Sequence, residues 1–294
     1  MNFYEYLLKF GHTQKTVQTY TYIVRVFIER HPNAFSFQYK DILQYFEHSQ
    51  GNRNYRNTIL AALKRYYDYL IEIGMRDDHP CMRLFLKSNK RSKQVIIHDL
   101  FSSEELELLL NRNERYQDLK FRNQIIISLL IYQALTVSEI TNLKTSHIDL
   151  DKGTIFIRGT SRLSKRSLDL HPKQYRLFDN YIYKARPKLQ IKKPISAALI
   201  LGKLGTPISV DDINYLIVTC KPHFPDRKLT SITIRQSVIA NWLNEKKLPL
   251  EQVQLWTGHK WISSTALYRH TSVEEERMLM NKWHPLEENY QIEK

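Results

Sequence analysis

One stretch of the chain, GTIFIRGTSRLSKRSLDLHP at residues 153–172, breaks the spacing that its apolar residues keep almost everywhere else. Elsewhere they recur three and four apart, as on one face of a helix; here they alternate with polar residues, as on a strand. Two alternating runs separated by a short polar turn predict a hairpin, with strands over Thr154–Arg158 and Arg166–Leu170. A single hairpin among helices limits the chain to a mostly α architecture with a small antiparallel sheet.

The helical spacing is clearest early on. Tyr20, Ile23, Val24, Phe27 and Ile28 form one stripe, and Leu60, Leu63, Tyr67, Leu70 and Ile71 form another. Between them a Pro-containing loop, a short helix over about 39–48 and a Gly-Asn break bring the expected count to four helices. At 294 residues the chain is long enough for two cores. The expected division is a helical domain over 1–88, a basic linker over 89–100 carrying Lys90, Arg91 and Lys93, and a second domain over 101–294.

The second domain opens with Ser102 and, three residues on, Glu105, a capping signature ahead of an apolar run. A buried helix is expected at about 125–133, followed by one in TVSEITNLK. After the hairpin, further helices are expected near 174–184, 209–220, 233–246, 250–257 and 263–270.

Charge narrows the partners. The chain carries 44 Lys and Arg against 30 Asp and Glu, a net +14. The excess is spread along it: residues 1–95 hold 15 basic and 8 acidic side chains, and the rest hold 29 and 22. That pattern favours a polyanion, nucleic acid first, contacted by both halves. In the hairpin region, Arg158, Arg162, Lys165 and Arg166 are candidates to lie against phosphates. The two cysteines, Cys81 and Cys220, are too far apart in sequence to suggest a disulfide framework and fit a reducing cytoplasm. No signal-peptide pattern opens the chain, and no apolar run reaches the ~18 residues of a membrane span. Its histidines show no metal-ligand spacing, so no metal is expected.

Three segments go further: ALTVSEITNLKTSHIDL, the basic hairpin, and LTSITIRQSVIANWLNEKKLPLEQVQLWTGHKWISSTALYRH. Their order and content resemble the tyrosine recombinases of the phage integrase family, and the likeness runs through the chain. It implies a helical, SAM-like core-binding domain followed by a mixed α/β catalytic domain with a small antiparallel sheet. It also implies double-stranded DNA as substrate, cut and rejoined through a 3′-phosphotyrosine without cofactor, by a homo-oligomer, a tetramer, or together with a second recombinase. The setting implied is cytoplasmic and nucleoid-associated, and the element a mobile one.

The resemblance assigns roles residue by residue. Tyr268, nine residues after the Gly258-His259 pair, matches the nucleophile. His259 matches a donor to the phosphate, and Arg235 matches the arginine of the H-x-x-R box, a fork suited to developing phosphate charge. Lys165 is the lysine at the hairpin turn where the family carries a proton donor, with Arg158 and Arg162 close by in sequence and the register left open. Two positions depart. Ile232 stands where the box has histidine, and Thr136 stands where an earlier Gly-Leu-Arg box has arginine, ahead of Ser138 and Glu139. Losing one charged donor of this kind typically costs roughly 10²–10³ in rate. Arg122, or Lys120, on the preceding helix is the candidate to refill the place beside Thr136.

Three readings follow: an active recombinase, a recombinase-like DNA-binding partner that cuts weakly or not at all, and a generic basic RNA-binding or structural protein. The third requires the spacing of Arg235, His259 and Tyr268 to be accidental.

Overall fold

The computed structural model describes residues 2–49, 51–86, 100–112, 114, 116–191 and 196–269. Lys90, Arg91 and Lys93, and the C-terminal apolar residues Met278, Leu279, Met280 and Trp283, lie outside them. The chain divides into two compact units, residues 1–90 and 91–294.

Among the described residues, the first unit holds four α-helices: α1 (Phe3–Lys9), α2 (Gln14–Arg30), α3 (Tyr39–His48) and α4 (Arg53–Glu72). The starts of α1, α2 and α4 are capped by Asn2, Thr13 and Asn52, whose side chains accept from backbone N–H groups that the first turn leaves free. The stripes read from the sequence meet here. Ile23, Val24 and Phe27 of α2 pack with Leu60, Leu63, Tyr67 and Leu70 of α4. Tyr67 is fully buried, and its hydroxyl donates to the Ala34 carbonyl at 2.8 Å, so its polar end is satisfied inside the core.

The first described helix of the second unit is α5 (Ser103–Leu108), started by the expected Ser102–Glu105 capping box. Its central helix is α6 (Gln117–Tyr132), followed by the one-turn α7 (Val137–Thr141). Ile125, Ile126, Leu129 and Leu130 of α6 are all fully buried, which explains a helix whose apolar residues run round it rather than along one face.

The hairpin forms as β2 (Thr154–Ile157) and β3 (Arg166–Asp169), and a short β1 (Ile148–Asp149) pairs with β2 to complete a three-stranded antiparallel sheet. That third strand was not visible in the sequence, because two residues carry no periodicity. Register pairs Ile157 with Arg166 and Ile155 with Leu168.

Beyond the sheet run α8 (Pro172–Asp179), a π-helical turn (Asn180–Ala185) and α9 (Arg186–Gln190), where one helix over 174–184 was expected. α10 (Val210–Val218), α11 (Ser231–Asn244), α12 (Leu250–Thr257) and α13 (Ile262–Ala266) follow. α12 stops at Gly258, which takes the left-handed conformation (φ +74°) that ends a helix without steric penalty.

Candidate active site

The site is assembled from four places in the second unit: the turn between α6 and α7, the start of β3, α11, and the stretch from Gly258 to Tyr268.

At the first, Thr136 caps α7. Its hydroxyl accepts from Glu139 N at 3.2 Å and donates to Glu139 Oε2 at 2.9 Å, while the same carboxylate oxygen accepts from Thr136 N at 2.9 Å. The threonine thus works as a helix cap and holds Glu139 in place. Just ahead, Ala134 has φ +50°, a left-handed conformation that strains a residue with a Cβ. Its carbonyl accepts from Arg235 Nη1.

Arg235 extends from α11 and is mostly buried. Besides Ala134 O it donates, through Nη2, to Thr257 O at 2.7 Å, so two of its five N–H groups are anchored on backbone and the others remain for an anion. Its Nη1 stands 3.9 Å from Glu139 Oε2. Burial lowers its pKa to about 10; the nearby charge of Arg166 acts the same way, while Glu139 and Tyr268 oppose it. It stays cationic at neutral pH.

The arginine nearest Glu139 is Arg166, from β3. Its Nη1 donates to Glu139 Oε1 at 2.6 Å and its Nε to Trp256 O at 2.7 Å, with both side chains of the pair 1% exposed. Burial alone would raise the Glu139 carboxyl, but the Arg166 hydrogen bond and charge outweigh it and hold the group below the usual carboxylate range. The guanidinium also packs against Gly258, where an added Cβ would fall 2.5 Å from Arg166 Nη1. The hairpin turn is bound to the same place: Ser164 N donates to Gly258 O at 2.8 Å, and Leu163 forms a bridge with His259.

His259 Nδ1 and Thr265 Oγ1 are hydrogen-bonded at 2.9 Å. With the hydroxyl donating, Nε2 carries the ring proton and is the free donor. Burial, followed by the charges of Arg235 and Arg166, lowers the imidazole pKa to about 4 against the opposing effect of Glu139. The ring is neutral at pH 7. The Tyr268 ring lies beside it, 6.4 Å between centroids and 18° from parallel. Tyr268 packs on the core, and its backbone is held at both ends, N–H to Thr265 O at 3.1 Å and carbonyl to Asn244 Nδ2 at 2.9 Å.

The structure therefore brings Arg235, His259 and Tyr268 together, and places other expected residues elsewhere. Arg122 Nε and Nη2 donate to Asn123 Oδ1, with Asp212, Glu114 and Arg112 as charged neighbours, so these two donors are turned to Asn123 rather than to Thr136. Arg166, expected to face DNA, is buried in the pocket instead, because it shares the inward phase of β3 with Leu168. Arg158, Arg162 and Lys165 are exposed on and around the hairpin. Ile232, at the start of α11, is 68% exposed and contributes no proton-carrying group. Among the described residues, no cluster of His, Cys, Asp and Glu could hold a metal ion.

Comparison with known proteins follows the same lines. The sequence profile of the phage integrase family matches residues 100–275. The tyrosine recombinase XerC of Lactobacillus delbrueckii subsp. bulgaricus is 28% identical over 220 residues, 73% of this chain and 71% of that protein. XerC of Staphylococcus epidermidis is 25% identical over 288 residues, 97% of this chain and 93% of that protein. Among solved structures, the XerH site-specific recombinase bound to a palindromic difH substrate superposes with a TM-score of 0.67 at 17% identity, over 92% of this chain and 80% of that one. The Tn1549 transposon integrase with circular intermediate DNA gives 0.65 at 17%, over 95% and 99%. These last two likenesses are of fold.

Proposed function

We propose that this chain, which belongs to the phage integrase family of tyrosine recombinases, cuts and rejoins double-stranded DNA at a specific site, with Tyr268 as nucleophile. The observation that carries the reading is the meeting of Arg235, His259 and Tyr268 in one cluster, from segments up to 33 residues apart in sequence.

In this reading the Tyr268 oxygen attacks the phosphorus of a phosphodiester and the 5′ oxygen leaves. The tyrosine gives up its proton to solvent water, and the departing alkoxide takes one from Lys165, which regains it from solvent. The product is a 3′-phosphotyrosine and a free 5′-hydroxyl, so the bond can be re-formed when the hydroxyl of another end attacks. Arg235 bears the charge gathering on the non-bridging oxygens, and its two backbone anchors fix it in advance of the reaction. Neutral His259 donates from Nε2 to one of those oxygens. Lys165, exposed on the hairpin, is the candidate proton donor to the leaving oxygen. Arg158 and Arg162, with Lys90, Arg91 and Lys93 of the basic segment read from the sequence, would track the DNA backbone. The first unit is taken as the core-binding domain, and the assembly on DNA as a tetramer of this chain or of this chain with a second recombinase, serving a mobile element.

A second reading keeps the DNA binding and removes the cutting. Thr136 and Ile232 favour it, since neither supplies the charged or titratable group that the family resemblance places there.

A nicked duplex bearing an end of the chain's own element separates the two. Wild-type protein is expected to form a denaturation-resistant adduct that Tyr268→Phe abolishes. Tight binding without any adduct would leave the DNA-binding partner, and an adduct surviving Tyr268→Phe would remove Tyr268 as nucleophile.

A further inference from the structure

Arg166 and Glu139 are charged groups held almost wholly out of water. Removing two charges from water is expensive, and a buried pair is often no more stabilising than apolar residues of the same size. Stability alone is a weak reason for such a pair. A second oddity accompanies it: Arg166 Nη2 is buried without a hydrogen-bond partner, a donor that usually costs about 1–3 kcal/mol to leave open.

The two Glu139 oxygens divide their work. Oε1 takes Arg166 at 2.6 Å, and Oε2 takes both the N–H and the hydroxyl of Thr136 at 2.9 Å. Oε2 stands 3.9 Å from Arg235 Nη1, beyond hydrogen-bonding distance. With His259 neutral, Arg166, Arg235 and Glu139 give this cluster a net charge of +1, which suits a phosphodiester. Without Arg166 the net charge is zero, and a buried carboxylate 3.9 Å away would compete with the phosphate for Arg235.

From these distances the geometry points to Arg166 as a positioning residue of the phosphate pocket: it occupies Glu139 so that Arg235 stays free for the DNA phosphate. A strand arginine thereby restores the positive charge that Thr136 does not supply. This rests on the phosphoryl-transfer reading above and deepens it, since Arg166 acts through Glu139 and Arg235 rather than on the reacting atoms.

The test uses Arg166→Met, Arg166→Lys and the double variant Arg166→Met with Glu139→Gln. The double variant returns the cluster to +1, and glutamine still serves the Thr136 capping box. On the nicked duplex, at protein concentrations that saturate binding, Arg166→Met is expected to lose roughly 10²-fold or more in adduct rate. Arg166→Lys should lose less than about 10-fold, and the double variant should recover at least about 10-fold over Arg166→Met. A lone buried carboxylate also destabilises the fold, and the double variant relieves this. Rates are therefore compared per DNA-bound protein at a temperature where urea melts show every variant folded; recovery under those conditions is not what a loss of packing predicts. Equal losses in the single and double variants, or wild-type rates in Arg166→Met, would overturn the inference.

A second measurement needs no cleavage. The charges facing His259 are Arg235, Arg166 and Glu139, with Tyr268 beside the ring. Titration of its ring protons by NMR should show a rise in pKa in Arg166→Met and a return toward the wild-type value in the double variant. If wild-type protein forms no adduct, the recombinase reading fails while this titration still decides the role of Arg166: an unchanged His259 in Arg166→Met overturns it. A His259 that titrates near the free-imidazole value in both variants marks a collapsed pocket and overturns it too.

Discussion

Asn244, the last residue of α11, donates its side-chain amide to the Tyr268 carbonyl at 2.9 Å. The same helix carries Arg235 nine residues earlier, so one rigid element holds both the proposed phosphate clamp and the main chain of the proposed nucleophile. Asn244→Ala removes a hydrogen bond worth about 1 kcal/mol in stability. Its larger effect should be on positioning: about 10-fold slower adduct formation with DNA affinity within 2-fold of wild type. Comparison of single-turnover rates with binding isotherms checks this, and equal losses in rate and affinity would count against a positioning role.

Ala134 lies in the left-handed region at φ +50°. An L-residue with a Cβ pays roughly 1–2 kcal/mol there, more than glycine loses through its freer unfolded chain. Ala134→Gly relieves that strain but gives up a fully buried methyl worth about 0.8 kcal/mol, so stability should stay within about 1 kcal/mol of wild type with the carbonyl still on Arg235. Urea melts of the two proteins decide it; a loss of well over about 1 kcal/mol would mean that the left-handed conformation carries little strain here.

Gly258 faces the opposite constraint. A Cβ there meets the left-handed φ of +74° and falls 2.5 Å from Arg166 Nη1 and 3.1 Å from its Cζ. Gly258→Ala should cost about 2–3 kcal/mol and slow adduct formation, since Arg166 must move off Glu139. A crystal structure of the variant with Arg166 unmoved would contradict the second half of this expectation.

The half-buried imidazole of His259 makes stability depend on pH. His259 binds its proton at about 4 in the folded protein and near 6.5 when unfolded, so the unfolded chain takes up the proton first as pH falls. Its contribution is complete above about pH 6.5 and is lost between 6.5 and 4, amounting to about 2 kcal/mol once solvent screening of a partly exposed ring is allowed for. Glu139, held below its ordinary range, adds a loss lower down, as pH falls through its own folded value. Urea melts at pH 7, 5.5 and 4.5 should show the upper window in wild type and its flattening in His259→Gln. The same slope in both would remove His259 as its source.

Much of this was legible along the chain. The Ser102–Glu105 cap, the stripes of α2 and α4 and the β2–β3 hairpin all depend on interactions within a few residues, and their signals survive in the sequence. The grouping of Arg235, His259 and Tyr268 was legible through the family resemblance rather than through any local period. The site's interior was less so. Arg122 looked well placed beside Thr136 by its position on the preceding helix, yet its donors go to Asn123.

Arg166 marks the division most clearly. By itself the sequence determined that a strand begins there, with Arg166 expected to face DNA; the strand phase it shares with Leu168 turns it inward instead. Which group would meet a charge turned into the core was decided only by packing. The partner, Glu139, lies 27 residues away on another element, oriented by the cap at Thr136. A buried charge must find an opposite charge wherever the fold brings one, and local pattern carries no record of that distance.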